Sequence, residues 1–350
     1  MTPNPFPLFI PLAALMAGVS ACSSLSSGNG PVPQKGFSVA GDRLLDATDT
    51  PFVMRGINHP HAWQRQRTAK ALPEIAATGA NIVRVSLSSG APWGETPKEE
   101  VAEIIRLAKA HDMIVMFTVH NTTGYGQQDW AIHLAETIPY WMSLADILIG
   151  QEAYVLINPG NEPTGNSIAP AVYTEMQMTT IKALRAAGFT HTMVIDGHDW
   201  GQDARQTMLT EAPALAAADP LANTIFSVHM YQVYAEAESI ARYFAAFDAM
   251  DLPLIVGEFG PDHQGEPVDE ETIFRLTNEM DIGYIGWSWS GNSAIVEDLD
   301  ITVDFDPDTL SPWGDQLING PGGIGETSCP AAVFREEISR PRFHKLRLRG

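Results

Sequence analysis

The sequence predicts a (β/α)8 TIM barrel, an α/β fold, on three observations: eight short apolar runs, helix-period stretches between them, and a length that one such barrel fills. The runs occupy residues 52–57, 81–87, 113–119, 153–158, 191–196, 224–229, 253–259 and 284–289. They recur at intervals of roughly 25 to 40 residues, the spacing of consecutive βα units. Between the second and third, Val101, Ile104, Ile105 and Ala108 fall on one face of a helix, with Thr96 as its N-cap and Pro97 in its first turn. Between the fourth and fifth, Val172, Met176, Ala183, Leu184 and Ala187 trace a second face, which Gly188 ends in a left-handed cap. Gly79 plays the same part before the second run. An open doubly wound sheet is the competing topology, and no Gly-x-Gly-x-x-Gly follows the first run to support it. The chain shows no internal repeat and no second domain.

The composition is that of a folded protein. Of 350 residues 45% are hydrophobic, 18% charged and 9% aromatic, which excludes a disordered, collagenous or coiled-coil chain. Forty-two acidic residues against 21 basic ones leave a net charge of −21, a field that repels nucleic acid and anionic membranes.

Four segments follow. Residues 1–21 read as an export signal: residues 1–34 carry no Asp, Glu, Lys or Arg and contain an apolar run too short to span a bilayer. Val19-Ser20-Ala21-Cys22 resembles a bacterial lipoprotein signal, which makes Cys22 the lipidated N-terminus of a cell-envelope protein and the anchor its only membrane contact; an ordinary secretory peptide is the alternative. No internal disulfide is then expected. Residues 22–35 read as a flexible tether, 36–320 as the barrel and 321–350 as an extension with a basic tail at Arg340, Arg342, Lys345, Arg347 and Arg349. Asp298, Asp300, Asp304, Asp306 and Asp308 form an acidic loop whose order differs from an EF-hand, so a solvated loop is expected in preference to a Ca²⁺ site.

In a barrel, chemistry sits where strands give way to βα loops. Those positions hold Asn58, His59 and His61 after the first run, Arg84 in the second, and His120 after the third. Asn161-Glu162-Pro163 follows the fourth, His229-Met230-Tyr231 the sixth, Glu258 lies in the seventh, and Trp287 and Trp289 in the eighth. One polar strand end means little; seven of eight point to a site. Glu162 and Glu258 are the pair that glycoside hydrolysis needs, one acid/base and one nucleophile or second base. The imidazoles, Tyr231 and Arg84 are suited to hold one carboxylate ionised and to bind sugar hydroxyls, and Trp287 offers a flat apolar face.

Arg55-Gly56-Ile57-Asn58-His59-Pro60-His61-Ala62-Trp63, Gly79 to Val85, Val228 to Tyr231, Ile255 to Gly260 and Gly286 to Asn292 together resemble glycoside hydrolase family 5, clan A, and within it the bacterial endo-β-1,4-mannanases. The likeness runs from about Gly36 to about Gly314. It implies a retaining double displacement on a β-1,4-linked polysaccharide or oligosaccharide, without metal or organic cofactor. Glu162 matches the acid/base and Glu258 the nucleophile; Arg84 and Tyr231 match residues that orient the nucleophile. Asn161 matches the ligand of the sugar 2-hydroxyl, His120 and His229 the imidazoles of the reacting subsite, and Trp287 its platform. His59 and His61 are assigned to the axial 2-hydroxyl of mannose. Pro163 after Glu162 is a cellulase-like departure, so an endo-β-1,4-glucanase is the alternative. More distant are a metal-dependent amidohydrolase-like enzyme using His59, His61, Glu162, His198 and His229, and a sugar-binding protein without catalysis.

Overall fold

The computed structural model describes residues 35–338. Its barrel strands are β1 (Arg55–His59), β2 (Ile82–Leu87), β3 (Ile114–Val119), β4 (Val155–Asn158), β5 (Met193–Asp196), β6 (Thr224–Met230), β7 (Leu254–Phe259) and β8 (Gly283–Gly286). All are parallel, and β8 pairs with both β7 and β1, so the sheet is a closed barrel. Every strand residue is buried, which is why the strands read as apolar runs and not as alternating patterns.

Around the barrel stand α1 (Thr68–Ala77), α2 (Lys98–Ala110), α3 (Ile138–Ser143), α4 (Pro170–Ala186), α5 (Thr207–Ala218), α6 (Ala237–Asp248), α7 (Glu270–Glu279) and α8 (Pro312–Asn319). The buried face of α2 is the expected quartet, Val101, Ile104, Ile105 and Ala108. Its N-cap is Pro97, however, because the Thr96 hydroxyl is occupied by the Ser88 N–H at 3.1 Å. The buried stripe of α4 also departs from expectation. It runs through Tyr173, Met176, Gln177, Thr180, Ile181 and Leu184, leaving Val172 exposed. Polar members of that stripe serve the barrel: Tyr173 and Gln177 both donate to the Asp196 carbonyl. Gly79 and Gly188 do adopt left-handed φ values of 91° and 94°.

Two strand ends differ from the apolar runs that predicted them. Phe52 bonds to Leu44 in an N-terminal hairpin (Ser38–Ala40 with Arg43–Leu45), so β1 starts at Arg55. β8 ends at Gly286; beyond it Trp287 and Trp289 still bond to Phe259 and Asn58 of the neighbouring strands, while Ser288 between them bonds to Leu299.

The stretch after 320 packs into the same core through Ile324, Ala331, Val333 and Phe334. Asn81 donates to the Cys329 carbonyl at 2.9 Å, and Arg55 to Thr327 at 3.0 Å, so position 320 is no boundary in the packing. Cys329 is disulfide-bonded, which corrects the expectation of no disulfide. Cys22 and the basic tail lie outside the described residues. In the acidic loop Asp298, Asp304, Asp306 and Asp308 are solvent-exposed, while Asp300 is half-buried and hydrogen-bonded.

Candidate active site

Strand register builds the site. Asn58 of β1 is paired with Arg84 of β2, and Thr118 of β3 with Asn158 of β4. A bulge between Val228 and His229 places His229 of β6 beside Glu258 of β7. Gly201 makes room for that imidazole, since a Cβ there would stand 2.7 Å from the ring.

Arg84 is fully buried at the centre. One guanidinium nitrogen donates to Glu258 at 2.6 Å and to Asn58 at 3.0 Å; the other donates to Asn161 at 2.6 Å, Asn158 at 2.9 Å and Asp196 at 3.1 Å. Tyr231 donates to the second oxygen of Glu258 at 3.0 Å. Each oxygen of Glu258 thus has a donor of its own.

Glu162 follows β4 with φ of 39°, a strained conformation for a non-glycine residue, worth about 1–3 kcal/mol. Two hydrogen bonds hold it there: its N–H donates to Asp196 at 3.2 Å, and its carbonyl accepts from Gly124 at 2.9 Å. Its carboxyl bonds to His229 Nδ1 at 2.8 Å, and His229 Nε2 lies 3.3 Å from Asp196.

The electrostatics differ from group to group. Burial pushes Glu162 up to about 7, helped by the Glu258 charge and opposed by its bond to His229. Burial would depress His229, but Glu258, Asp196 and the bonds to Asp196 and Glu162 raise it to about 10. Burial likewise opposes ionisation of Asp196, yet the charges of His229 and Arg84 hold its carboxyl below the usual range. Of these groups Glu162 is the carboxyl raised toward neutrality, while Asp196, facing Arg84 and His229, is held below the usual range.

Above this network a cleft of about 590 Å³ is bordered by Asn161, Glu162, Tyr231, Glu258, Trp287 and His120. His120 stacks on Trp287 with centroids 5.6 Å apart and 16° between planes, and burial lowers its pKa to about 3. The aromatic row continues outward through Trp63, 4.9 Å from His120, then Trp93 and Trp130 at successive spacings of 5.1 and 5.2 Å.

Eight of the sequence-predicted residues thus converge: Glu162, Glu258, Arg84, His120, Asn161, His229, Tyr231 and Trp287. His59 and His61 do not border the cleft, which corrects their assignment to substrate. Both imidazoles bond to the Thr68 hydroxyl, at 2.8 and 2.7 Å, and His61 also to Glu100 at 3.0 Å. The amidohydrolase-like donor set does not assemble either, since His198 bonds to Thr207 and to the Ile168 carbonyl.

Among the described residues, one group of ligand-type atoms is close enough to hold a metal ion: Glu162, His229 and Glu258, all within 4.8 Å of one another. A cation there would have to displace the proton of His229 and compete with Arg84 for Glu258.

Sequence reasoning missed Asp196, the hub that joins Arg84, His229 and Glu162. Its signal was its place as the last residue of the fifth run, the one strand end left without a role. Trp93 and Trp130 stand on loops and carried no such signal.

Two carboxyl groups with an oxygen of one within 4.8 Å of an oxygen of the other, at the C-terminal mouth of a parallel barrel and flanked by an aromatic wall, define a glycoside hydrolase. The chain belongs to glycosyl hydrolase family 5: the family model "Cellulase (glycosyl hydrolase family 5)" matches residues 45–293.

Its relatives include a mannan endo-1,4-beta-mannosidase of Cellvibrio japonicus, 46% identical over 299 residues, covering 85% of this chain and 69% of that protein. One of the same description from Streptomyces lividans is 40% identical over 322 residues, covering 92% and 83%. Among solved structures, the mannohexaose complex of Thermomonospora fusca beta-mannanase superposes with a TM-score of 0.82 at 46% identity, covering 86% of this chain and 99% of that one.

Proposed function

We propose that this protein is a retaining endo-β-1,4-mannanase that hydrolyses β-mannan and glucomannan. The observation that carries the mechanism is the separation of the carboxylates: oxygens of Glu162 and Glu258 lie within 4.8 Å of each other. An inverting pair stands roughly 6.5–9.5 Å apart to admit a water between carboxylate and sugar, whereas about 5 Å suits direct attack.

In the first step a Glu258 oxygen attacks the anomeric carbon and the bond to the leaving oxygen breaks. Glu162 delivers its proton to that oxygen, which departs as a hydroxyl. In the second step the Glu162 carboxylate takes a proton from water, the water oxygen bonds to the anomeric carbon, and Glu258 is released. Arg84 and Tyr231 orient Glu258 and keep its oxygens in hydrogen bonds throughout. His229 ties Glu162 to Asp196, holding the acid/base on the cleft side. Asn161 borders the cleft with its carbonyl fixed by Arg84 and its amide on Thr123, placed for a sugar hydroxyl. Trp287 and His120 form the stacking wall for the ring at the reacting subsite.

Mannan is the preferred substrate on the strength of relatives 40–46% identical over most of the chain and described as mannan-cleaving. The first-loop imidazoles no longer contribute to that argument. A glucan-cleaving side activity has a specific motive in Pro163 and in a relative at 40% identity described as beta-mannanase/endoglucanase A. Steady-state kinetics on matched manno- and cello-oligosaccharides test the preference. A kcat/KM at least about tenfold higher on the manno series is expected; equal or reversed values overturn the mannan reading and leave the catalytic pair standing.

The apolar N-terminal segment supports export, through a lipoprotein-type or an ordinary secretory signal. Each cysteine sulfur takes one further bond and the chain has two cysteines, so a disulfide at Cys329 within the chain speaks against a lipid thioether at Cys22. The non-reduced intact mass of the mature chain distinguishes them, because acyl chains add a large, discrete mass and a disulfide removes two hydrogens.

A further inference from the structure

The acidic loop after β8 was set aside above as solvated, yet Asp300 differs from its neighbours. It is half-buried and faces the turn that follows Trp287. Instead its carboxylate collects donors from the segment following Trp287. One oxygen accepts from the Asn292 side-chain amide at 2.7 Å and from the Asn292 N–H at 3.0 Å; the other accepts from the Gly291 N–H at 3.1 Å. Asn292 in turn accepts the indole N–H of Trp287 at 2.9 Å.

The direction of this relay has a chemical cause. A carboxylate only accepts, so the NH2 end of the Asn292 amide must face Asp300. The carbonyl end is then obliged to face Trp287, whose indole N–H only donates. Asp300 and the indole N–H thereby demand the same orientation of the Asn292 amide, which Ser288 also contacts at both ends, and that amide holds the indole that stacks on His120 at the reacting subsite. A neutral amide at position 300 has one acceptor oxygen in place of two, so it cannot serve Asn292 and the Gly291 N–H at once, and the brace on Asn292 weakens.

We infer that Asp300 is a positioning residue for the reaction: through Asn292 it locks the Trp287 platform in the orientation that the sugar ring requires. The inference rests on the platform reading of Trp287 given above. Its effect is to be expected in kcat/KM beyond any effect on the loop's own stability.

The test is a double-mutant cycle of D300N with W287F, measured as kcat/KM on mannohexaose alongside thermal midpoints. Phe keeps a ring but has no N–H for the relay to hold. W287F alone should lower kcat/KM, and D300N alone should lower it by roughly tenfold, the scale of one charged hydrogen bond. In the W287F background D300N should cost less than about twofold, while its shift in thermal midpoint persists undiminished. The reciprocal pair N292D/D300N, which restores a donor facing an acceptor, should recover part of the activity that each single change loses.

A D300N cost equally large in both backgrounds, or no recovery in the reciprocal pair when it is folded, overturns the inference and leaves the platform intact. A neutral W287F overturns the platform reading and the inference together, so the two failures are distinguishable.

Discussion

His229 and His59 are both fully buried at the C-terminal ends of barrel strands, yet their protonation is opposite. His229 sits among Glu162, Asp196 and Glu258, and their charges outweigh its burial, raising it to about 10. Among the described residues no carboxylate pairs with His59. Burial, aided by the neighbouring His61, drives it down to about 3. His61 falls to about 4 for the same leading reason, with Glu100 only partly offsetting it.

Tautomers follow for this neutral pair. If His61 donates from Nε2 to Glu100, its Nδ1 must accept from the Thr68 hydroxyl, and Thr68 must accept from His59 Nε2–H. That leaves His59 Nδ1 as a buried acceptor with no partner, as observed. The comparison teaches that an imidazole at a strand end takes its role from the charges around it, not from its position. The mouth of β4, β6 and β7 gathers charged groups; beside it His59 and His61 are neutral and tie Thr68 and Glu100 to the first loop.

Substitutions can break or sharpen that contrast. The largest effect belongs to Glu258. E258Q keeps volume but replaces the attacking carboxylate with a neutral, poorly nucleophilic amide, and kcat should fall on the order of 10⁴-fold with ligand binding retained. A variant within tenfold of the parent would rule Glu258 out as nucleophile.

E162A should cost less, about 10²–10⁴-fold on polysaccharide, and far less on aryl glycosides whose leaving groups need no proton. Azide should restore turnover on such substrates; equal losses on all leaving groups would count against Glu162 as the acid.

H229N should be milder in rate, and its signature is in pH. Glu162 must be protonated for the first step, so kcat/KM should fall as pH rises through about 7. Removing the imidazolium takes away an interaction that lowers the Glu162 pKa, and the alkaline limb should therefore move to higher pH. A limb that stays put, or moves down, would separate His229 from Glu162.

The smallest effect is expected at β1. T68V should lower stability by about 1–3 kcal/mol in thermal or denaturant unfolding, since it leaves two buried imidazoles short of a partner. Its kcat/KM should stay within about threefold of the parent. A loss comparable to E162A would return His59 and His61 to the catalytic account.

Much of this was legible before the structure. Continuous apolar runs mark strands buried on both faces, and eight of them announce a closed barrel. Glu162, Glu258, Arg84 and Tyr231 stood out because strand ends in such a barrel converge whatever the loops do. His59 and His61 misled because residue type says nothing about which way a side chain leaves its strand end. Asp196 escaped notice because a terminal aspartate reads equally well as a turn residue. The relay from Asp300 joins a strand end to a loop folded back over it, as Ser288 and Ile301 show by bonding to each other. Only tertiary contacts reveal such a pairing.

The central claim is that the two carboxylates work by double displacement, one covalently and one by proton transfer. The most direct measurement is proton NMR of the first products released from a β-mannan, recorded before the sugars equilibrate. Reducing ends that appear first in the β configuration are the predicted result. Initial α-configured ends would contradict the account, because they require water, not Glu258, to attack the anomeric carbon.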